Sequence, residues 1–133
     1  MKSWIWRWGP AVIVMTLIFT ASATPGSDLP KFGAWDLIAK KGGHMFGYAL
    51  LASAFFHALD RKGKGGLSRF VVAAALACLY AATDEFHQRF TPGRTASLQD
   101  VGIDSLGAVI GLMVWTGINK MRRSQHSAVN PDS

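Results

Sequence analysis

Four apolar blocks, separated by short polar segments, constrain this chain more than any other feature. They run from Trp4 to Ala23 and over residues 40–59, 67–85 and 101–119. Each is close to the roughly 20 mainly apolar residues, with a range of roughly 17 to 25, that a helix needs to cross a bilayer. A helix of a soluble bundle must keep a polar face. The stretches VVAAALACLYAA (71–82) and LGAVIGLMVW (106–115) have none. The expected fold is therefore all-α, an integral membrane bundle of four transmembrane helices forming one domain. Half of the residues are hydrophobic and 17% are charged, in keeping with that reading. The modest mean hydropathy of +0.20 reflects dilution by the polar stretches 24–41, 60–66, 86–100 and 120–133.

The first block admits two readings. MKSWIWRW followed by an apolar run and Ala21-Ser22-Ala23 resembles a cleavable secretory signal. Trp4, Trp6 and Trp8 ahead of the run suit a retained anchor better, because tryptophans gather at membrane interfaces. With four spans, nine basic residues fall on one side: Lys2, Arg7, Arg61, Lys62, Lys64, Arg69, Lys120, Arg122 and Arg123. Five fall on the other: Lys31, Lys40, Lys41, Arg89 and Arg94. The positive-inside rule then predicts that both termini are cytoplasmic. The net charge of +6 and pI near 9.9 orient the chain in the bilayer and touch anionic lipid. They do not point to nucleic acid, because no basic helix with interleaved aromatics occurs.

Against this apolar background, residues 83–104 read TDEFHQRFTPGRTASLQDVGID. Residues three and four apart share a helix face, so Asp84, His87 and Gln88 project together from the end of the third block. Asp100 and Asp104 share a face at the start of the fourth, and Lys40, His44 and Tyr48 form a stripe at the start of the second with Lys41 beside it. Pro92-Gly93 enforces a turn and places Arg94 among the acidic residues. Its planar fork fits a carboxylate or a phosphate. Ionisable groups at membrane depth are costly unless paired, and they mark sites more often than not. The competing explanation is interhelical glue, in which Asp84, Asp104, His44 and Tyr48 only hydrogen-bond to one another.

Other signals are weaker. Gly43 with Gly47, and Gly107 with Gly111, have the small-xxx-small spacing of closely packed helices and are read as internal packing. His57 beside Asp60 falls at the opposite end from the cluster, and His126 lies in a tail ending SAVNPDS that reads as disordered. Lone Cys78 sits in an apolar block, where packing is its expected role. No metal site is expected, since His44 and His87 come from different helices without HExxH-type spacing. No cofactor is expected either, as neither a P-loop nor a dinucleotide-binding glycine pattern occurs.

At DEFHQRFTPGRTASLQDVGIDSLGAVIGL the chain resembles the VanZ-like family of small bacterial membrane proteins. The family pattern has an acidic pair, a His-Gln, a Pro-Gly-Arg turn, an Asp, and a second Asp leading into a Gly-rich last helix. Asp84, Glu85, His87, Gln88, Pro92, Gly93, Arg94, Asp100, Asp104, Gly107 and Gly111 match it, with Lys41, His44 and Tyr48 upstream. Ser105 departs from the Asn or Thr common at its position but keeps a hydroxyl. The resemblance covers residues 40–115 and implies a multi-pass protein of the bacterial inner membrane, in a family named for low-level teicoplanin resistance. It divides the chain into a membrane helix or signal anchor (1–24), a VanZ-like domain with three further helices (25–119) and a polar tail (120–133).

The expected ligand-binding set is Lys41, His44, Tyr48, Asp84, Glu85, His87, Gln88, Arg94, Asp100 and Asp104, on the extracytoplasmic side. The first expected function is binding of a lipid-linked or anionic envelope molecule, or of the lipid tail region of a glycopeptide, in contact with the bilayer. The alternative is an enzyme acting on a lipid headgroup, with His44 or His87 as general base, Asp84 or Asp104 orienting it, and Arg94 stabilising negative charge. A small proton-coupled transporter, working as a homo-oligomer, is the third.

Overall fold

The computed structural model describes residues 2–29, 31, 33–60 and 66–129. The basic residues Arg61, Lys62 and Lys64, counted above for orientation, lie outside the described residues, as do 130–133 of the tail. Four helices follow in order: α1 (Lys2–Ala23), α2 (Asp36–Ala58), α3 (Gly66–Gln88) and α4 (Leu98–Val129). Two single 3₁₀ turns, Gly26–Asp28 and Gly33–Trp35, link α1 to α2, and among the described residues there is no strand.

The all-α expectation is met, with helix positions close to those of the apolar blocks. Helices α1, α3 and α4 are long and apolar enough to cross a membrane. Helix α2 is not among them, although its 23 residues would span about 34 Å at 1.5 Å per residue. Its composition explains the difference: Asp36, Lys40, Lys41 and His44 occupy its first turns and His57 its last, which interrupts the apolar run, and α2 packs against each of the other three helices. Its C-terminal half supplies much of the core: Leu51, Ala52, Phe55 and Phe56 pack with Ala73, Ala77, Ala108 and Leu112 of α3 and α4.

Glycine sets the α2–α4 distance. A Cβ on Gly111 would stand 2.6 Å from Cα of Ala49, and one on Gly107 would stand 2.5 Å from the carbonyl oxygen of Met45. Only bare backbone fits there. The other glycine pair behaves differently: a Cβ on Gly43 would meet nothing within 4 Å, and one on Gly47 only the Ile18 side chain at 3.4 Å. The reading of internal packing therefore holds for α4 and fails at Gly43, which faces open space.

The expected disordered tail is also revised. Helix α4 runs without a break to Val129, because KMRRSQHSAV (120–129) contains neither Pro nor Gly to interrupt it. The outer surface of the bundle is apolar, with Ile13, Leu17, Leu79, Met113 and Val114 each more than half exposed. So large an apolar surface suits lipid. Trp4 and Trp6 point outward at one end, while Trp8 turns inward to meet Phe55 edge-on at 6.4 Å. There the Arg7 guanidinium donates to the carbonyl of Ala58 at 2.6 Å, closing the C-terminal end of α2.

Candidate functional site

The cluster anticipated from the sequence assembles at the end of the bundle where α1 and α3 finish and α2 and α4 begin. At its base lies Asp84, 4% exposed. Oδ2 of Asp84 accepts from the Ser22 hydroxyl at 2.7 Å, the Tyr48 hydroxyl at 3.2 Å and the Gln88 amide at 3.2 Å. The same amide reaches Ser22 Oγ at 3.3 Å. Oδ1 of Asp84 is buried without a partner among the described residues. Three helices therefore meet on one carboxylate oxygen. Tyr80 joins the layer beneath, its ring 6.2 Å from that of Tyr48 and its hydroxyl donating to the Met15 carbonyl at 2.7 Å.

Above this layer, His44 Nδ1 faces Asp104 Oδ2 at 3.6 Å, and Asp104 is 3% exposed. One turn earlier on both helices, Lys41 donates to Asp100 at 2.7 Å. This pairing follows from α2 and α4 starting at the same end and running side by side in the same direction: the i, i+3 stripe of one meets the i, i+4 stripe of the other. Lys40 turns aside to Asp36 at 2.6 Å on its own helix. Glu85, buried on α3, accepts from the Ser97 backbone N–H at 2.5 Å, while Ser97 Oγ accepts from the Gln99 N–H at 3.1 Å and caps α4. The carboxylate of Glu85 thus sits at the positive end of the α4 dipole.

Arg94 is placed differently from the sequence reading. Its guanidinium does not close on a carboxylate among the described residues. Nη2 donates to the Ala21 carbonyl at 2.6 Å and Nε to that of Thr24 at 3.4 Å, so Arg94 caps the C-terminus of α1. The turn that delivers it is tied to the α1–α2 connection by the Gly26 N–H donating to the Pro92 carbonyl at 3.1 Å. Gly93 adopts φ +72, which favours glycine, and its carbonyl packs on Gly26 too closely for a side chain there. His87 also departs from expectation. Its ring lies 4.7 Å from that of Phe19 on α1, and it is not in the cavity wall.

Lys41, His44, Glu85, Gln88, Arg94, Asp100 and Asp104 line a cavity of about 430 Å³ that Asp36, Lys40, Ser97 and Ile103 complete. Tyr48 and Asp84 lie beneath its wall. The volume is within the roughly 300–1,000 Å³ typical of ligand sites. Three cations and four carboxylates share the lining, an arrangement suited to a ligand with an ionic head. Among the described residues no group of three or more His, Cys, Asp or Glu side chains converges to hold a metal ion.

Sequence reasoning missed Ser22 and Asp36. Ser22 is fully buried and was noticed only as part of a signal-like Ala-Ser-Ala, although a hydroxyl at the end of an apolar helix is a signal for interhelical bonding. The i, i+4 spacing of Asp36 and Lys40 was legible.

The family model VanZ/LLP1 matches residues 8–119. No curated protein and no solved structure matches the chain. The match covers most of the chain, which belongs to the VanZ/LLP1 family and is a membrane protein.

Proposed function

We propose that this VanZ/LLP1 protein binds the ionic head of a lipid-linked or anionic envelope molecule in the cavity beside Lys41, His44 and Arg94, on the extracytoplasmic side of the bacterial inner membrane. In this reading all four helices span the membrane, with α2 shielded by its neighbours, and both termini are cytoplasmic. The observation that carries it is the polar cavity itself, built from both helix starts and the α3 end and opening beside an apolar bundle surface. A contribution to glycopeptide resistance, such as to teicoplanin, would follow if the bound molecule is the drug's lipid tail region or a wall precursor.

One observation favours a second reading. His44 is part of the cavity wall with its Nδ1 3.6 Å from the buried carboxylate of Asp104, a placement that a general base acting on a lipid headgroup would use. The two readings separate in cells expressing wild type, Lys41→Ala or His44→Ala at matched membrane levels. Binding predicts a teicoplanin susceptibility shift that Lys41→Ala abolishes, with an unchanged envelope lipid profile. A lipid species that changes with wild type and reverts with His44→Ala would establish the enzyme instead. Identical behaviour of all three would reduce the cluster to interhelical glue. Lys41 is the better probe than Arg94, whose loss would also uncap α1.

A further inference from the structure

Beside the polar cavity, a second one of about 360 Å³ runs between α1 and α2. Val14, Leu17 and Ile18 form one wall, and Gly43, Gly47 and Leu50 the other. Leu17 and Leu50 are 63% and 46% exposed, so this groove opens on the apolar flank of the bundle. Leu29, Lys40, His44 and Arg94 belong to the walls of both cavities. Its polar wall residues, among the described residues, are Lys40, His44 and Arg94, with no carboxylate. From Ala21 down to Val14 on α1, and from Ala39 down to Leu50 on α2, it extends roughly 10–16 Å at 1.5 Å per residue.

The two glycines keep this space open. Gly43 has no neighbour within 4 Å of a would-be Cβ, unlike Gly107 and Gly111, whose lack of a side chain is needed for helix contact. A glycine in a helix interior costs about 0.5–1 kcal/mol relative to alanine, a cost that close packing explains at Gly107 and Gly111 but not at Gly43.

We infer that the groove between α1 and α2 holds the apolar chain of an anionic amphiphile from the surrounding bilayer, with its phosphate at the basic junction of Lys40, His44 and Arg94. The inference rests on the headgroup reading above and adds the ligand class: one apolar chain ending in a phosphate. At the junction the α1 cap uses Nε and Nη2 of Arg94, so Nη1 is the edge of the fork that meets the phosphate.

The test uses dodecyl phosphate carrying a photoreactive diazirine at its chain end, with the full chain in vesicles of zwitterionic phospholipid. Crosslinks are expected at Val14, Leu17 or Leu50, competed by excess dodecyl phosphate and not by dodecanol. Gly43→Leu fills the groove where nothing has to move and should cut crosslinking by about tenfold, equivalent to 1.4 kcal/mol of binding. Gly42→Leu, whose added side chain also meets open space but lies outside the groove, is the matched control and should leave crosslinking unchanged. Labelling that survives Gly43→Leu, or that dodecanol removes equally well, overturns the inference. Lys41→Ala keeps the two proposals apart, since Lys41 lines the polar cavity and not the groove. Loss with Lys41→Ala but not with Gly43→Leu overturns the groove alone, loss with Gly43→Leu alone overturns the headgroup reading of the polar cavity, and indifference to both overturns the two together.

Discussion

Asp84 shows how one buried carboxylate can tie three helices together. Its Oδ2 accepts from Ser22 on α1, Tyr48 on α2 and Gln88 on its own helix. Removing a donor and removing the shared acceptor should therefore differ in size. Ser22→Ala deletes the bond to Asp84 and the longer one from Gln88, whose amide keeps Asp84, and should cost about 1 kcal/mol. Asp84→Ala strands two buried hydroxyls and an amide and should cost about 3 kcal/mol or more, by the penalty for unsatisfied buried donors. Unfolding in mixed detergent micelles measures both. Equal losses would mean that Ser22, and not the carboxylate, holds the α1–α3 contact. Asp84, Asp100 and Asp104 were legible in the sequence as members of one cluster because helical spacing puts them on common faces. The departure of His87 to Phe19 was not, because a side chain at the edge of a helical face is assigned by whichever neighbour packs there.

Between elements, the α2–α4 contact depends on the absence of side chains and the α1–α2 contact does not. This predicts opposite signs for the same substitution on one helix. Gly117→Ala, where a Cβ meets nothing within 4 Å, should stabilise by up to about 1 kcal/mol through helix propensity. Gly111→Ala forces a methyl to 2.6 Å from the Ala49 backbone and should destabilise by about 2 kcal/mol despite the same propensity gain. Thermal unfolding of the two variants in one detergent decides. If both stabilise, the α2–α4 interface is looser than the structure has it. The spacing of Gly107 and Gly111 announced close approach, yet Gly43 and Gly47 carry the same spacing and face a groove. The motif specifies what a helix permits, and the partner's position decides whether it is used.

For the whole molecule, the proposed topology puts the 24–35 and 89–97 connections outside and the C-terminal end of α4 inside. In a Cys78→Ser background, Ser27→Cys should react with a membrane-impermeant maleimide added to intact cells, and Ser124→Cys should react only after lysis. Both positions are exposed, so burial does not explain a failure to label. Labelling of both from outside would mean an odd number of crossings and would remove α2 from the spans. Helix α1 is integral to this architecture. It supplies Ser22 to the buried network, takes the Tyr80 hydroxyl on its Met15 carbonyl, and is capped by Arg94.

Four helices in nearly the right places, and a polar cluster at one end of them, follow from the sequence by itself. Hydrophobic runs and i, i+4 spacing are local properties that survive without knowledge of neighbours. Tertiary structure alone decided that Arg94 serves α1 and not a carboxylate, that Ser22 completes the site, that α4 continues to Val129, and that one glycine pair closes an interface while the other leaves a groove open. Each of these depends on the distance between elements remote in sequence. Backbone carbonyls, buried hydroxyls and empty volume acquire a partner, or go without one, only when the helices have packed.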